Sequence, residues 1–225
     1  MFRQAWDRCR TNLKANLITG VCIWSLGSVL VLTYYNIEYF ANLLDQFGKL
    51  KTENGFLYSA LSTSLFGGVI PYMALLFRKS IPESKRMTWF VFFVLFWGYK
   101  GIEVDAFYRL QGLLFGQNNS FQVILTKVCT DQFVYCVVWA APTTAIFYGW
   151  KNADFLWSEV REIRDFKCLV SESAFLLFTT WIIWTPAVAI VYAMPRDLQI
   201  PCFNLTLCLF VLVISYLEPN KEVAG

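Results

Sequence analysis

Seven polar or charged residues lie within or beside strongly apolar sequence. Lys100, Glu103, Asp105 and Arg109 extend one apolar run, and Lys127, Asp131 and Gln132 open another. Ionisable groups at membrane depth are costly, so such residues mark either a packing cluster or a polar pathway. Helical spacing sorts them. Asp105 and Arg109 are four apart, as are Lys127 and Asp131, so each couple can meet on one helical face. Glu103 and Asp105 are two apart and point to different faces, which excludes a paired-carboxylate dyad. Asp131 is the foremost candidate. It begins a stretch with no further charge before Lys151, and Gln132 adds a second polar group. Three of the seven are basic and three acidic, so the chemistry on offer is ion pairing and hydrogen bonding.

Other chemistries find little support. The chain contains no histidine, which removes histidine acid/base catalysis and the commonest metal ligand. The patterns GxSxG, HExxH and GxxxxGK[ST] are missing. The seven cysteines form no CxxC and are odd in number, so a complete disulfide framework is not expected. No run of Lys and Arg resembles a nucleic-acid patch. The expectation is a non-enzyme with no cofactor, no metal and no nucleic-acid partner.

The elements that must position these residues are membrane helices. Over 225 residues, 57% are hydrophobic and only 16% charged, and the mean hydropathy is +0.48. Soluble domains carry about 25% charged residues. A spanning helix needs about 20 mostly apolar residues. Stretches near 17–37, 54–77, 128–150, 171–195 and 198–217 qualify, and 87–115 is a sixth candidate whose second half is polar on one face. The fold class expected is therefore all-α, a polytopic transmembrane bundle of five to six spans forming one domain over 1–225. With the N-terminus inside, six spans place thirteen of the Lys and Arg residues inside and six outside, which the positive-inside rule favours. Residues 1–16 place Phe2, Trp6, Cys9 and Leu13 on one face, as in an amphipathic segment lying on the inner leaflet. The charged segment Asn152–Lys167 has a helical pattern and is expected to be a connecting helix.

Three prolines, Pro71, Pro142 and Pro186, fall inside apolar runs and should kink their helices. Pro142–Tyr148 and Pro186–Tyr192 both read PxxAIxY. Ala60, Ser64 and Gly68 recur every four residues, flanked by Ser59, Thr63 and Gly67. Small residues at this spacing let two helices approach closely, either within the chain or between copies in a homo-oligomer.

Three stretches carry a family resemblance. Lys127-xxx-Asp131-Gln132 resembles the KxxxDQ signature of the Mpv-seventeen / peroxisomal membrane protein twenty-two family. Gly101-xxxxx-Phe107-Tyr108 has the spacing of that family's GPxxxxWY element, and Trp181-xx-Trp184-x-Pro186 with Pro195-Arg196 resembles its late tryptophan–proline region. The resemblance covers about Trp6–Leu217. Ile102 and Val137 stand where the family has proline, so the chain would be a divergent member. The resemblance implies a multi-pass protein of an organelle membrane (the mitochondrial inner membrane among them) or, in a bacterium, of the plasma membrane. It also implies pore formation or passage of small solutes, with no accepted catalytic reaction. By position it singles out Gly101, Phe107, Tyr108, Lys127, Asp131, Gln132, Trp184 and Pro186.

Two functions follow as expectations. The first is a small channel or solute-permeability protein, its solute unspecified, lined by the 100–109 and 127–132 charges. The second is a non-transporting structural or assembly protein of the lipid bilayer that uses the Ala60/Ser64/Gly68 stripe as a partner surface.

Overall fold

In a computed structural model, residues 13–217 are described, and their regular secondary structure is entirely helical. Six helical rods are arranged in sequence. They are α1 (Leu13–Asn36), α2 (Glu38–Phe77), α3 (Arg86–Phe115), α4 (Phe121–Asn152), α5 (Phe166–Tyr192) and α6 (Arg196–Leu217). The amphipathic segment expected over 1–16 lies outside the described residues, except that its last four positions form the first turn of α1.

Two of the rods, α2 and α4, are long and apolar enough to cross a membrane. A third qualifies if the two parts of α5, bent by 54° between Phe178 and Thr180, count as one span. Large apolar side chains cover the outside: Leu61, Leu95, Val138 and Leu113 are 63%, 67%, 69% and 78% exposed. Polar residues such as Lys100, Asp105, Asp131, Gln132 and Asn204 are buried. This inversion of the soluble pattern is what a lipid solvent favours, since exposed apolar patches of this extent are rare on soluble monomers.

The prolines act through widened turns. The segment Ser64–Val69 of α2 and the segment Asp131–Ala140 of α4 are π-helical, and Pro71 and Pro142 follow directly as second residues of the next α-helical stretch. Proline offers no N–H and crowds the carbonyl four residues back. Opening the preceding turns to i→i+5 bonding relieves that crowding and re-aims the side chains it contains. Pro186 and Pro201 instead lie inside α5 and α6. Near Pro186, the Ile183 carbonyl accepts the Trp24 indole N–H at 2.9 Å, which ties α1 to α5.

The small-residue stripe is covered within the chain. Ser64 Oγ donates to the Val94 carbonyl at 2.7 Å, and a Cβ on Gly68 would stand 2.8 Å from the Phe93 carbonyl oxygen. Ala60 and Ser64 both face Gly98, and Gly101 meets α2 more closely still, because a Cβ there would lie 2.2 Å from the Ser59 carbonyl oxygen. The stripe and the two α3 glycines therefore set the α2–α3 crossing. From the other side, Asn204 of α6 accepts from Thr63 Oγ1 at 2.7 Å and donates to Ser62 Oγ at 2.8 Å.

The two ends of the bundle differ. At the polar end are the turns between α1 and α2, α3 and α4, and α5 and α6. At the aromatic end, Tyr72, Phe92, Phe93, Phe96 and Tyr148 cluster, with Phe92 stacked on Phe96 and Tyr148 edge to face against both. The connection after α4 is not the single helix its charge pattern suggests. It is a turn with Asp154 and Phe155 at φ 50° and 63°, a 3-10 turn over Trp157–Glu159 and one helical turn over Arg161–Arg164. Burying aromatic rings explains the break. Phe155 meets Phe92 at 5.9 Å between centroids, and Trp157 stacks on Trp150 at 4.7 Å. A continuous solvated helix would hold those rings away from the cluster.

Candidate functional site

The seven residues expected to form one polar cluster are divided among three sites on α3 and α4. The first centres on Asp105, 3% exposed. Its carboxylate accepts Arg109 Nε at 3.1 Å as the i,i+4 spacing required, and also Lys51 Nζ at 2.8 Å and Ser59 Oγ at 2.8 Å. Lys51 and Ser59 are eight apart in α2, which on a straight rod is about 12 Å. Gly55 breaks the rod between them with φ 53° and ψ −126°, a conformation open to glycine. The Arg109 guanidinium then lies over the Phe56 ring at 4.3 Å.

The second site is on the opposite face of α3. Lys100 Nζ donates to Glu103 Oε1 at 2.8 Å and to Thr143 Oγ1 at 3.1 Å, and the Tyr135 hydroxyl donates to the same Glu103 oxygen. Phe107 stacks on Tyr135 with ring centroids 4.1 Å apart. Glu103 and Asp105 thus serve different sites, as their two-residue spacing demands.

The third site is central. Asp131 is 4% exposed and opens the π-helical segment of α4. Tyr192 of α5 donates its hydroxyl to Oδ2 at 2.7 Å, while Gln132 Nε2 and Cys136 Sγ donate to Oδ1 at 2.9 and 3.5 Å. Gln111 of α3 donates in turn to the Tyr192 oxygen at 2.8 Å. Gln132 is fixed by Thr185, whose hydroxyl reaches Oε1 at 3.4 Å, and by Trp181, whose indole donates to its backbone carbonyl at 3.1 Å. No ion pair to Asp131 occurs among the described residues. The pair expected with Lys127 does not form. Lys127 is buried with its ammonium 5.9 Å from the Tyr192 ring centroid, and the neutral donors of α4 and α5 already hold the Asp131 oxygens.

Two hollows lie against these sites. A cavity of about 230 Å³ between α3, α4, α5 and α6 has Asp131, Gln132 and Lys100 in its wall. The rest of that wall is mostly apolar and aromatic, including Phe96, Trp97, Tyr108, Tyr135, Trp184 and Phe203. A polar vestibule of about 190 Å³ at the polar end is lined by Lys51, Asp105, Arg109, Arg196 and Asp197. Tyr108 borders both hollows. It is 6% exposed and packs on Tyr192 at 5.0 Å between centroids.

The family-motif positions are structural neighbours of this site. Gly101 sets the α2–α3 crossing, Phe107 covers Tyr135, and Trp184 packs against Phe203 at 5.7 Å with Pro186 one half-turn on. Sequence reasoning did not find Lys51, Thr143, Tyr135 or Gln111, and it marked Ser59 only as a neighbour of the small-residue stripe. Tyr192 was visible only as the end of a PxxAIxY string. Fold and site together define an all-helical bundle with an apolar exterior and a polar, partly hollow interior. No family model, curated protein or solved structure matches the chain.

Proposed function

We propose that the chain is a multi-pass membrane protein, similar to the Mpv-seventeen family, that lets small solutes pass. In this reading the six rods give five to six crossings, the N-terminus is on the Lys/Arg-rich side, and the membrane is a bacterial plasma membrane or an organelle inner membrane. The observation that carries the reading is that the vestibule and the central cavity share one lining side chain, Tyr108, which stands between them. A polar mouth, an aromatic partition and a cavity with a buried carboxylate in its wall are the parts that a gated route requires. A packing cluster alone would leave no hollow beside Asp131. An assembly role through the Ala60/Ser64/Gly68 stripe loses its surface, since α3 covers that stripe.

Purified protein in liposomes tests this. Wild-type protein should release entrapped small solutes faster than empty liposomes, and Asp131→Asn should change the rate or the selectivity while eluting as the same monodisperse species. A bilayer as tight as empty liposomes under every gradient would overturn the reading. Unchanged flux in the variant would remove Asp131 from the route.

A further inference from the structure

Asp131 and the cavity around it have a composition that selects a ligand class. The inference rests on the proposed passage and names its solute. Three features of the wall are independent. The Asp131 carboxylate is almost fully buried and held by hydroxyl, amide and thiol donors, with no ion pair to it among the described residues. The other charge in the wall, Lys100, is matched by Glu103 at 2.8 Å. The remaining wall presents aromatic rings from four helices: Phe96, Trp97 and Tyr108 from α3, Tyr135 from α4, Trp184 from α5, and Phe203 from α6. We propose that this cavity binds a small organic cation, an alkyl- or arylalkyl-ammonium, with its charge on Asp131 and its hydrocarbon against the rings.

Each alternative ligand class fits the wall less well. An anion would meet the Asp131 carboxylate in a low-dielectric setting, where repulsion is strong. A metal ion needs several oxygen, nitrogen or sulfur ligands, and no group of three His, Cys, Asp or Glu side chains converges among the described residues. A neutral solute would leave the carboxylate without a counter-charge. A quaternary ammonium is less strongly hydrated than a metal ion, and its desolvation is offset by attraction to both the aromatic faces and the carboxylate. The Tyr192 and Gln132 donors keep the carboxylate oriented, so the site is pre-formed.

The experiment uses full-length protein in detergent, titrated with benzyltrimethylammonium and, separately, with benzenesulfonate, an anion of similar size. Binding is followed by calorimetry and by fluorescence of the cavity tryptophans. Saturable binding of the ammonium and none of the sulfonate is expected. Asp131→Asn should weaken the ammonium by about tenfold or more, and Phe203→Leu, which keeps the charge and removes a ring, by about fivefold. Equal binding of the two probes would overturn the proposal, as would wild-type ammonium affinity in Asp131→Asn. If Asp131→Asn does not fold, Phe203→Leu decides, and unchanged affinity there overturns it. Ammonium binding by a protein whose liposomes stay tight would overturn the passage and keep the site. Leak of uncharged solutes without ammonium binding would do the reverse.

Discussion

Asp105 and Asp131 are both buried aspartates in the same bundle, and their surroundings are opposite. Asp105 meets two cations and a hydroxyl, contributed by α2 and α3. Asp131 meets only neutral donors, from α4 and α5, and borders a cavity. A buried charge whose partners saturate it is a fastener between helices, because removing either partner strands the other. A buried carboxylate held only by neutral donors in the wall of a cavity has capacity left for a cation. The same residue type therefore divides into structure and site according to what faces it. The Asp105 site can be disturbed without touching the cavity, because the two lie on different faces of α3.

The largest effect should come from exchanging the two in turn. Asp105→Asn leaves Lys51, whose side chain is 7% exposed, with no charge to face. Breaking a buried pair from one side costs about 3–5 kcal/mol, so thermal unfolding in detergent should shift downward by many degrees or the protein should aggregate. Asp131→Asn strands no cation, and its amide oxygen can still accept from Tyr192, but its NH2 would face the Gln132 donor, so its cost should be about 1–2 kcal/mol, well below that of Asp105→Asn. Equal destabilisation by the two variants would erase the distinction between fastener and site.

A smaller, more selective effect is expected at Gly101. Its missing Cβ lets the Ser59 backbone close in, which carries Lys51 and Ser59 to Asp105. Gly101→Val should push α2 from α3 and destabilise by about 1–3 kcal/mol through overpacking. The Asp131 site has no contact with α2 among its hydrogen bonds, so the fraction that folds should bind benzyltrimethylammonium as wild type does. Loss of both stability and binding would mean that the faces of α3 are coupled.

How much of this was legible in the sequence follows from the same geometry. Apolar runs located the rods closely: 87–115 was expected and Arg86–Phe115 is found. The expected start of the second span, residue 54, coincides with the Gly55 break, but the helix continues back to Glu38. Apolarity marks where a helix is greasy, not where it begins, and the Glu38–Asn54 stretch is amphipathic and mixed in charge. Pairs along one helix were also legible, and Asp105–Arg109 forms as its spacing implies. Pairs across helices were not, because Lys51 with Asp105 and Tyr192 with Asp131 depend on how the rods rotate against one another. That rotation is set by close approaches at Gly68 and Gly101 and by the π-helical turns at Ser64–Val69 and Asp131–Ala140, which no 3.6-residue period anticipates. The Lys127 spacing misled although the turn from Lys127 to Asp131 is regular, with the Asp131 N–H on the Lys127 carbonyl, because Tyr192, Gln132 and Cys136 hold the carboxylate instead. An i,i+4 couple is reliable only when neither residue has better donors inward.

The smallest expected effect tests the neutral donors themselves. Tyr192→Phe removes one hydroxyl from Asp131 and leaves Gln111 Nε2 without its acceptor, while the ring that packs on Tyr108 remains. Each of the two hydrogen bonds contributes about 1 kcal/mol, so the melting temperature should fall by a few degrees. The binding consequence runs the other way. With one donor gone, the carboxylate carries more unsatisfied charge into the cavity, and an ammonium ligand offers the replacement. Affinity for benzyltrimethylammonium should therefore rise by a few-fold in Tyr192→Phe, as calorimetry on the same preparations would read. A fall in affinity that matches the loss of stability would instead make Tyr192 part of the wall's rigidity and place Asp131 nearer to Asp105 in kind.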